Sequence, residues 1–273
     1  VTLGARPHIW GVLNVTPDSF SDGGLYSDMT AALHHARTLV GEGADVIDVG
    51  GESTRPGASR VEACVEQARV IPVVSALVAE GIRVSVDTMR ADTADKALEA
   101  GAHIINDVSG GLADPDMFAV VAQAECDFVV MHWRGHSESM EAHAHYGDVV
   151  AEVRSELGAR VAAAVGAGID PARIIVDPGL GFGKKANHNW ELLKHCDDLV
   201  AVGTRMVVGA SRKRFVGALL PDGHAMTERD EPSAVLGALL ASQGVWALRV
   251  HNVAAQARAL DVWQAVTQGG THV

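Results

Sequence analysis

Eight apolar runs in this chain end on side chains that can hydrogen-bond or carry charge: Asn14, Asp48, Asp87, Asn106, His132, Asp177, Ser211, and Arg249 with His251. A lone aspartate after an apolar run often caps the helix that follows, because its oxygen accepts an N–H of the first turn. Repetition at every run is harder to ascribe to capping and points to one shared cluster. Asp87, Asn106 and Asp177 supply carboxylates and a carboxamide with no ring of His or Cys around them. Carboxylates accept paired N–H donors, and an amide both donates and accepts. Such a set suits an aminopyrimidine-like ring better than a tightly held metal. Lys213, between Arg212 and Arg214, makes one cationic edge, and Arg249 with His251 makes another. Two such edges could clamp a diphosphate through charge-assisted hydrogen bonds. A solvated basic turn is the plainer alternative.

The elements that must position these groups are legible in the hydrophobic pattern. The runs cover residues 9–15, 46–49, 84–87, 104–108, 128–132, 174–177, 206–209 and 248–250. Their apolar character is continuous rather than alternating, the habit of parallel strands buried on both faces. Amphipathic stretches lie between them, among them 30–42, 91–100 and 252–266. Gly43, Gly81, Gly101 and Gly168 stand where a left-handed C-cap would turn the chain toward the next strand. Eight strand–helix units in 273 residues fit a single-domain (β/α)8 barrel spanning 1–273. In that fold the strand C-termini converge on one mouth, where active sites lie. A doubly wound sheet is the rival, but the glycine fingerprint it favours after the first strand is absent; Asn14, Val15, Thr16 and Pro17 stand there. Segments 17–27, 53–60 and 136–147 are rich in Gly, Ser, Asp, Pro and His and read as mobile loops.

Several other chemistries lack support. The run from Gly179 to Lys184 invites a phosphate-loop reading, but Pro178 stands where Gly is required and Lys185 where Ser or Thr is required. Phe182 in that run reads instead as an apolar contact over a pocket. His132, His136, His143 and His145 lack the helical spacing of a zinc motif, and a hydrated polar loop is the simpler account. No GxSxG elbow supports acyl transfer. A net charge of −12 argues against a nucleic-acid partner, though a few basic residues still make a local anion site. No apolar stretch approaches the ~20 residues of a membrane span. Cys64, Cys126 and Cys196 form no pairable pattern, and the first residues lack the order of a secretory signal, so a reducing cytoplasm is expected.

Longer motifs make the reading specific. Residues 11–24 read GVLNVTPDSFSDGG and residues 48–57 read DVGGESTRPG. SVDT follows at 85–88, then Asn106-Asp107, Met131-His132, DPGLGFG at 177–183, SRK at 211–213 and RVH at 249–251. In this order and over nearly the whole chain, the set resembles the dihydropteroate synthases, a pterin-binding barrel family. The resemblance implies an enzyme joining a pterin diphosphate to p-aminobenzoate, a target of sulfonamides and usually a homodimer. It implies that Asn14 touches a Mg2+ accompanying the diphosphate. Thr54, Asp87, Asn106, Asp177 and Lys213 would hold the pterin diphosphate, with Asn106 and Asp177 reading the pterin edge. Arg249 and His251, with Asn14, would anchor the diphosphate. Phe182 and Lys213 would border the p-aminobenzoate pocket, closed by the loops around Asp22 and Thr54-Arg55-Pro56. Met131 and Ser211, inside matched motifs, join the substrate-binding set, and Asp22, Asp87, Lys213, Arg249 and His251 are expected to act in catalysis. Arg214 departs from the family, where many members carry a small Ser. Two alternatives stay open: a pterin-dependent methyltransferase, and an inactive pterin-binding paralogue.

Overall fold

Each of the eight apolar runs is a strand. The computed structural model describes residues 5–16, 24–52, 60–136, 140–203 and 205–268. Among them the strands are β1 His8–Asn14, β2 Val46–Gly50, β3 Val84–Asp87, β4 Ile104–Asp107, β5 Asp127–Met131, β6 Ile174–Asp177, β7 Arg205–Val208 and β8 Ala247–Val250. They pair in parallel, in sequence order, and close into a barrel. Closure is made by β8 against β1, with Trp10 opposite Arg249 and Gly11 opposite Val250. The doubly wound alternative is thereby excluded, since its sheet would keep two open edges. The main helices are α1 Gly24–Gly41, α2 Ala63–Ala79, α3 Ala91–Glu99, α4 Met117–Ala124 and α5 Val149–Gly166. They continue with α6 Ala186–Lys194, α7 Cys196–Val200, α8 Arg214–Gly217, α9 Asp230–Ala241 and α10 Val253–Gln268. No helix of the described residues is long and apolar enough to cross a membrane.

The four glycines expected at helix ends, Gly43, Gly81, Gly101 and Gly168, all adopt positive φ. Gly101 shows why the type matters: at φ +95, a Cβ there would also lie 2.7 Å from a methyl of Val78.

Strand side chains alternate between two apolar environments. Ile9, Leu13, Ile47, Val49, Val84, Val86, Ile105, Val130, Ile174 and Val176 pack outward under the helices in the main core. Trp10, Val46, Ile104, Val129, Ile175, Val207 and Ala247 form a separate cluster that fills the barrel interior. Each fully buried Val, Leu or Ile stabilises the fold by roughly 1.5–3 kcal/mol. One pleat further along, the inward positions change character, to Asp48, Asn106, Asp177 and Arg249, with Asp87 above Ser85 on β3. The barrel is thus an apolar plug beneath a polar floor, and that floor is the base of the site.

Segment 136–147 departs from the hydrated loop expected of it. Met140 and Ala144 are buried there, in and beside a short 3-10 turn over Met140–His143. The Tyr146 hydroxyl donates to the Gly183 carbonyl at 3.0 Å. Tyr146 thus packs on the loop that follows β6, while His143 and His145 are exposed.

Candidate active site

At the C-terminal mouth, register places chemistry side by side. Gly50 pairs with Asp87, Asp87 with Asn106, and Met131 with Asp177. Four of the groups form one hydrogen-bonded unit. Arg249 Nε donates to Asp48 Oδ2 at 2.6 Å, and another guanidinium N–H donates to Asp87 Oδ2 at 2.9 Å. The Asn106 amide donates to both oxygens of Asp48 at 3.3 Å, so its own carbonyl oxygen remains available. Asp48 is wholly buried, and burial of an unpaired carboxylate would be prohibitive; Arg249 supplies its compensation. Burial pushes the Asp87 carboxyl up to about 7, against the pull of Arg249 and with the added repulsion of Asp48.

Asp177 ends β6 and faces the same space. Its Oδ1 accepts the Gly179 N–H at 2.7 Å, which fixes the carboxylate plane and leaves Oδ2 toward Gly209. Burial raises its carboxyl above the usual range, while that N–H and Lys213 pull it down. Lys213 precedes α8 and reaches in from the turn after β7. Burial, helped by Arg249, lowers its ammonium to about 8. Its Nζ sits 4.2 Å from the centroid of the Phe182 ring, a cation–π contact. Phe182 joins Met89, Val108 and Met131 in a small apolar cluster at the rim. Asp177, Lys213, Phe182 and Met131, with Asp87, Asn106 and Arg249, line a cleft of about 380 Å³, part of it open to solvent.

The turn presenting Lys213 is itself clamped. Arg212 lies in the left-handed region at φ +59. Its guanidinium makes a two-pronged pair with Asp230 at 2.6 and 2.8 Å, and its N–H donates to Ser233 Oγ at 3.2 Å. The start of α9 thereby sets where Lys213 stands.

His251 and Ser211 adjoin this turn. The His251 backbone N–H donates to Ser211 Oγ at 3.2 Å, and the ring Nδ1 lies 3.0 Å from the same oxygen. With the hydroxyl proton given to Nδ1, the ring carries its own proton on Nε2. Burial, together with Arg249, Arg212 and Lys213, holds the His251 imidazolium down to about 3. The cationic edge expected of this residue is therefore corrected: in the free protein His251 offers an N–H and no charge. Arg249 alone makes that edge positive.

Asn14 closes β1, half-buried, with its Oδ1 toward Gly50. Asp22, Thr54, Arg55 and Pro56 lie outside the described residues, as do most of segments 17–27 and 53–60. The other expected site residues, Asp87, Asn106, Met131, Asp177, Phe182, Lys213, Arg249 and the Ser211–His251 pair, share one mouth. Asp48, a strand-end residue to which the sequence assigns no role, is the buried partner of Arg249. Glu156 carries no signal in the sequence, because it lies within α5 and outside every motif, and Lys184 is legible there only as the end of a phosphate-loop-like run.

The chemistry open to this mouth follows from its two halves. Asp177 and Asn106 carry oxygens that can accept from the N–H groups of a flat ring, and Lys213 with Arg249 can meet an anion. The family model described as pterin binding enzyme matches residues 10–251. The dihydropteroate synthase of Mycobacterium leprae is 51% identical, over 98% of this chain and 96% of its own length. The solved dihydropteroate synthase of Xanthomonas albilineans with 4-aminobenzoic acid superposes with a TM-score of 0.89 at 45% identity, covering 96% of this chain and 93% of that one. The same enzyme in complex with 7,8-dihydropteroate gives 0.86 at 42% identity, over 98% and 95%. With the motifs, the barrel and these relatives in accord over nearly its full length, the chain belongs to the dihydropteroate synthase family of pterin-binding enzymes.

Proposed function

We propose that this protein condenses 6-hydroxymethyl-7,8-dihydropterin diphosphate with p-aminobenzoate, giving 7,8-dihydropteroate and diphosphate in folate biosynthesis. One observation carries the reading: the ring-reading acceptors Asp177 and Asn106 open onto the same cleft as Lys213 and Arg249. A single ligand with an N–H-rich ring and an anionic tail satisfies both halves. In the reaction the C–O bond between the pterin methylene and diphosphate breaks, and its electron pair leaves with the diphosphate. The arylamine nitrogen forms the new C–N bond and gives up a proton. An arylamine is uncharged near neutral pH, so its attack needs no strong base. The residues' work is electrostatic, stabilising the departing anion and the cation-like carbon. Lys213 and Arg249 serve the diphosphate and His251 adds a neutral N–H, while Phe182 and Met131 supply an apolar wall. Thr54 also serves the pterin diphosphate, and the loops around Asp22 and Thr54-Arg55-Pro56 close the arylamine side, as the family motifs imply.

Among the described residues no group of three His, Cys, Asp or Glu side chains could hold a metal ion. Asn14 offers one neutral oxygen, which fits a Mg2+ that arrives on the diphosphate and keeps most of its water. Such an ion, when bound, offsets the charge of the leaving group. We further propose a homodimer in a reducing cytoplasm. Val235, Leu239, Val262 and Val266 on α9 and α10 are exposed and offer apolar area for a second copy, and the three cysteines are free.

The test is a coupled assay for diphosphate release. Release that depends on p-aminobenzoate and yields dihydropteroate supports the condensation. Pterin binding with no release would make the protein a binder only, and methyl transfer to a cobalamin acceptor would place it with the methyltransferases.

A further inference from the structure

Behind the cleft, the loop from Gly179 to Gly183 is held by a lysine that points away from the pocket. The Lys184 ammonium donates to the Gly179 carbonyl at 2.9 Å and the Phe182 carbonyl at 3.0 Å, and lies 2.8 Å from His132 Nδ1. Three acceptors engage three N–H groups, the full capacity of an ammonium. His132 is in turn fixed from its other side: Nε2 lies 2.9 Å from Glu156, and Arg134 pairs with both Glu156 and Glu152. Burial, with the Lys184 charge beside it, lowers the His132 imidazolium to about 4, so the neutral ring accepts at Nδ1 and donates at Nε2. Burial also lowers Lys184 itself, to about 7, while Asp177 and Glu156 favour its charge and Arg134 and Lys213 oppose it. A second tie supports the same loop, the Gly181 N–H donating to Asn189 Oδ1 at 2.7 Å. Phe182 stands at the apex between these ties, over Lys213.

We infer that Lys184 is a positioning residue which, by tying the Gly179 and Phe182 carbonyls to His132, sets Phe182 over Lys213 and so shapes the arylamine side of the site. The assignment of that side rests on the proposed condensation. The staple itself is a property of the free protein. Lys184 touches neither substrate in this reading and acts through Phe182.

Two measurements separate the points. Amide hydrogen exchange on the ligand-free protein reads the staple: in Lys184→Met, exchange at Gly181, Phe182 and Gly183 should rise at least about tenfold while barrel strands keep their protection. Unchanged exchange would overturn the staple, whether or not the wild type turns over. Steady-state kinetics read the consequence. Lys184→Met should raise the KM for p-aminobenzoate about tenfold and that for the pterin diphosphate by much less. Added to Phe182→Ala, it should cost little more than either change alone, because both act on one wall. Equal rises in both KM values, or additive losses, would overturn the route through Phe182. Lys184→Gln, whose shorter amide reaches fewer of the three acceptors, provides the same two readouts if the methionine variant does not fold. A wild type that binds both substrates without condensing them would sink the proposed reaction and leave the exchange result standing.

Discussion

At the scale of single residues, the site is governed by which buried charges already have partners. Asp177 spends one oxygen on the Gly179 N–H and keeps the other for a ligand. Asp177→Asn would swap an acceptor for a donor opposite a ring N–H, a mismatch of roughly 1–3 kcal/mol. Calorimetry should then show at least about tenfold weaker binding of the pterin diphosphate, and unchanged affinity would remove Asp177 from the ring-reading set. Arg249 is tied to two carboxylates, so its removal should harm the fold as well as the anion site. Leaving Asp48 and Asp87 unpaired should cost about 3 kcal/mol or more in denaturant unfolding. The sign with pH follows from Asp87, whose folded-state carboxyl is raised to about 7. A raised carboxyl contributes stability at low pH that is lost as pH climbs from the ordinary carboxylate range through that value. Without Arg249 the carboxyl rises further, so the variant's deficit should be smaller at about pH 5 than at about pH 8. An equal deficit at both would mean that the Asp87 carboxyl does not feel the loss. Lys213 gives a third expectation, since its ammonium is lowered to about 8 in the free protein. An arriving diphosphate favours the charged form, so binding above about pH 8 should take up a proton. Calorimetry in buffers of different ionisation heat would detect that uptake, and its absence would place the diphosphate away from Lys213.

Elements matter here chiefly as the connections after strands. The turn after β7 keeps Arg212 in a left-handed conformation because Asp230, Ser233 and Arg229 on the α9 side grip it from three directions. The loop after β6 instead depends on glycine. Gly179 sits at φ +65, and a Cβ there would lie 2.3 Å from the His132 carbonyl oxygen. No rotamer relieves a clash with backbone, so Gly179→Ala should displace the loop. Its N–H to Asp177 and its carbonyl to Lys184 would both be disturbed. We expect the pterin and arylamine sides to weaken together, unlike the one-sided effect of Lys184→Met. A variant with both KM values unchanged would show that the loop tolerates the shift.

For the whole molecule, the order of binding is the open variable. Among the described residues Phe182 lies above Lys213, and in the proposed reaction these two form one side of the arylamine pocket, next to the diphosphate. Segments 17–27 and 53–60, which read as mobile loops in sequence and lie mostly outside the described residues, are the ones expected to close over a pterin-site ligand; that ligand then lowers the cost for a second, which appears as positive coupling. Sulfonamides share the shape and charge of p-aminobenzoate. Their binding should be detectable with a pterin ligand, Mg2+ and diphosphate present, absent without them, and weaker in Phe182→Ala. Tight sulfonamide binding to the bare protein would show a pocket formed in advance.

The sequence by itself determined the strands, the barrel and the mouth. Short apolar runs such as 128–131 and 174–176, recurring eight times between amphipathic stretches, read as strands covered on both faces, and a polar residue at or just beyond each C-terminal end marks a shared rim. The motifs from GVLNVTPDSFSDGG to RVH added the family. What the tertiary structure alone decided is who neutralises whom. Arg249 meets Asp48 across 201 residues and Asp87 across 162, so nothing local announces that these carboxylates are its partners. His251 reads as a cation beside Arg249 in sequence. It is neutral in the fold, because burial and three neighbouring positive charges oppose a fourth. Lys184 reads as the failed end of a phosphate loop, yet meets His132 across 52 residues and ties down the loop that carries Phe182. Strand identity is written in hydrophobic periodicity, which is local. Charge pairing depends on barrel closure and register, which bring distant strands and loops within hydrogen-bond distance.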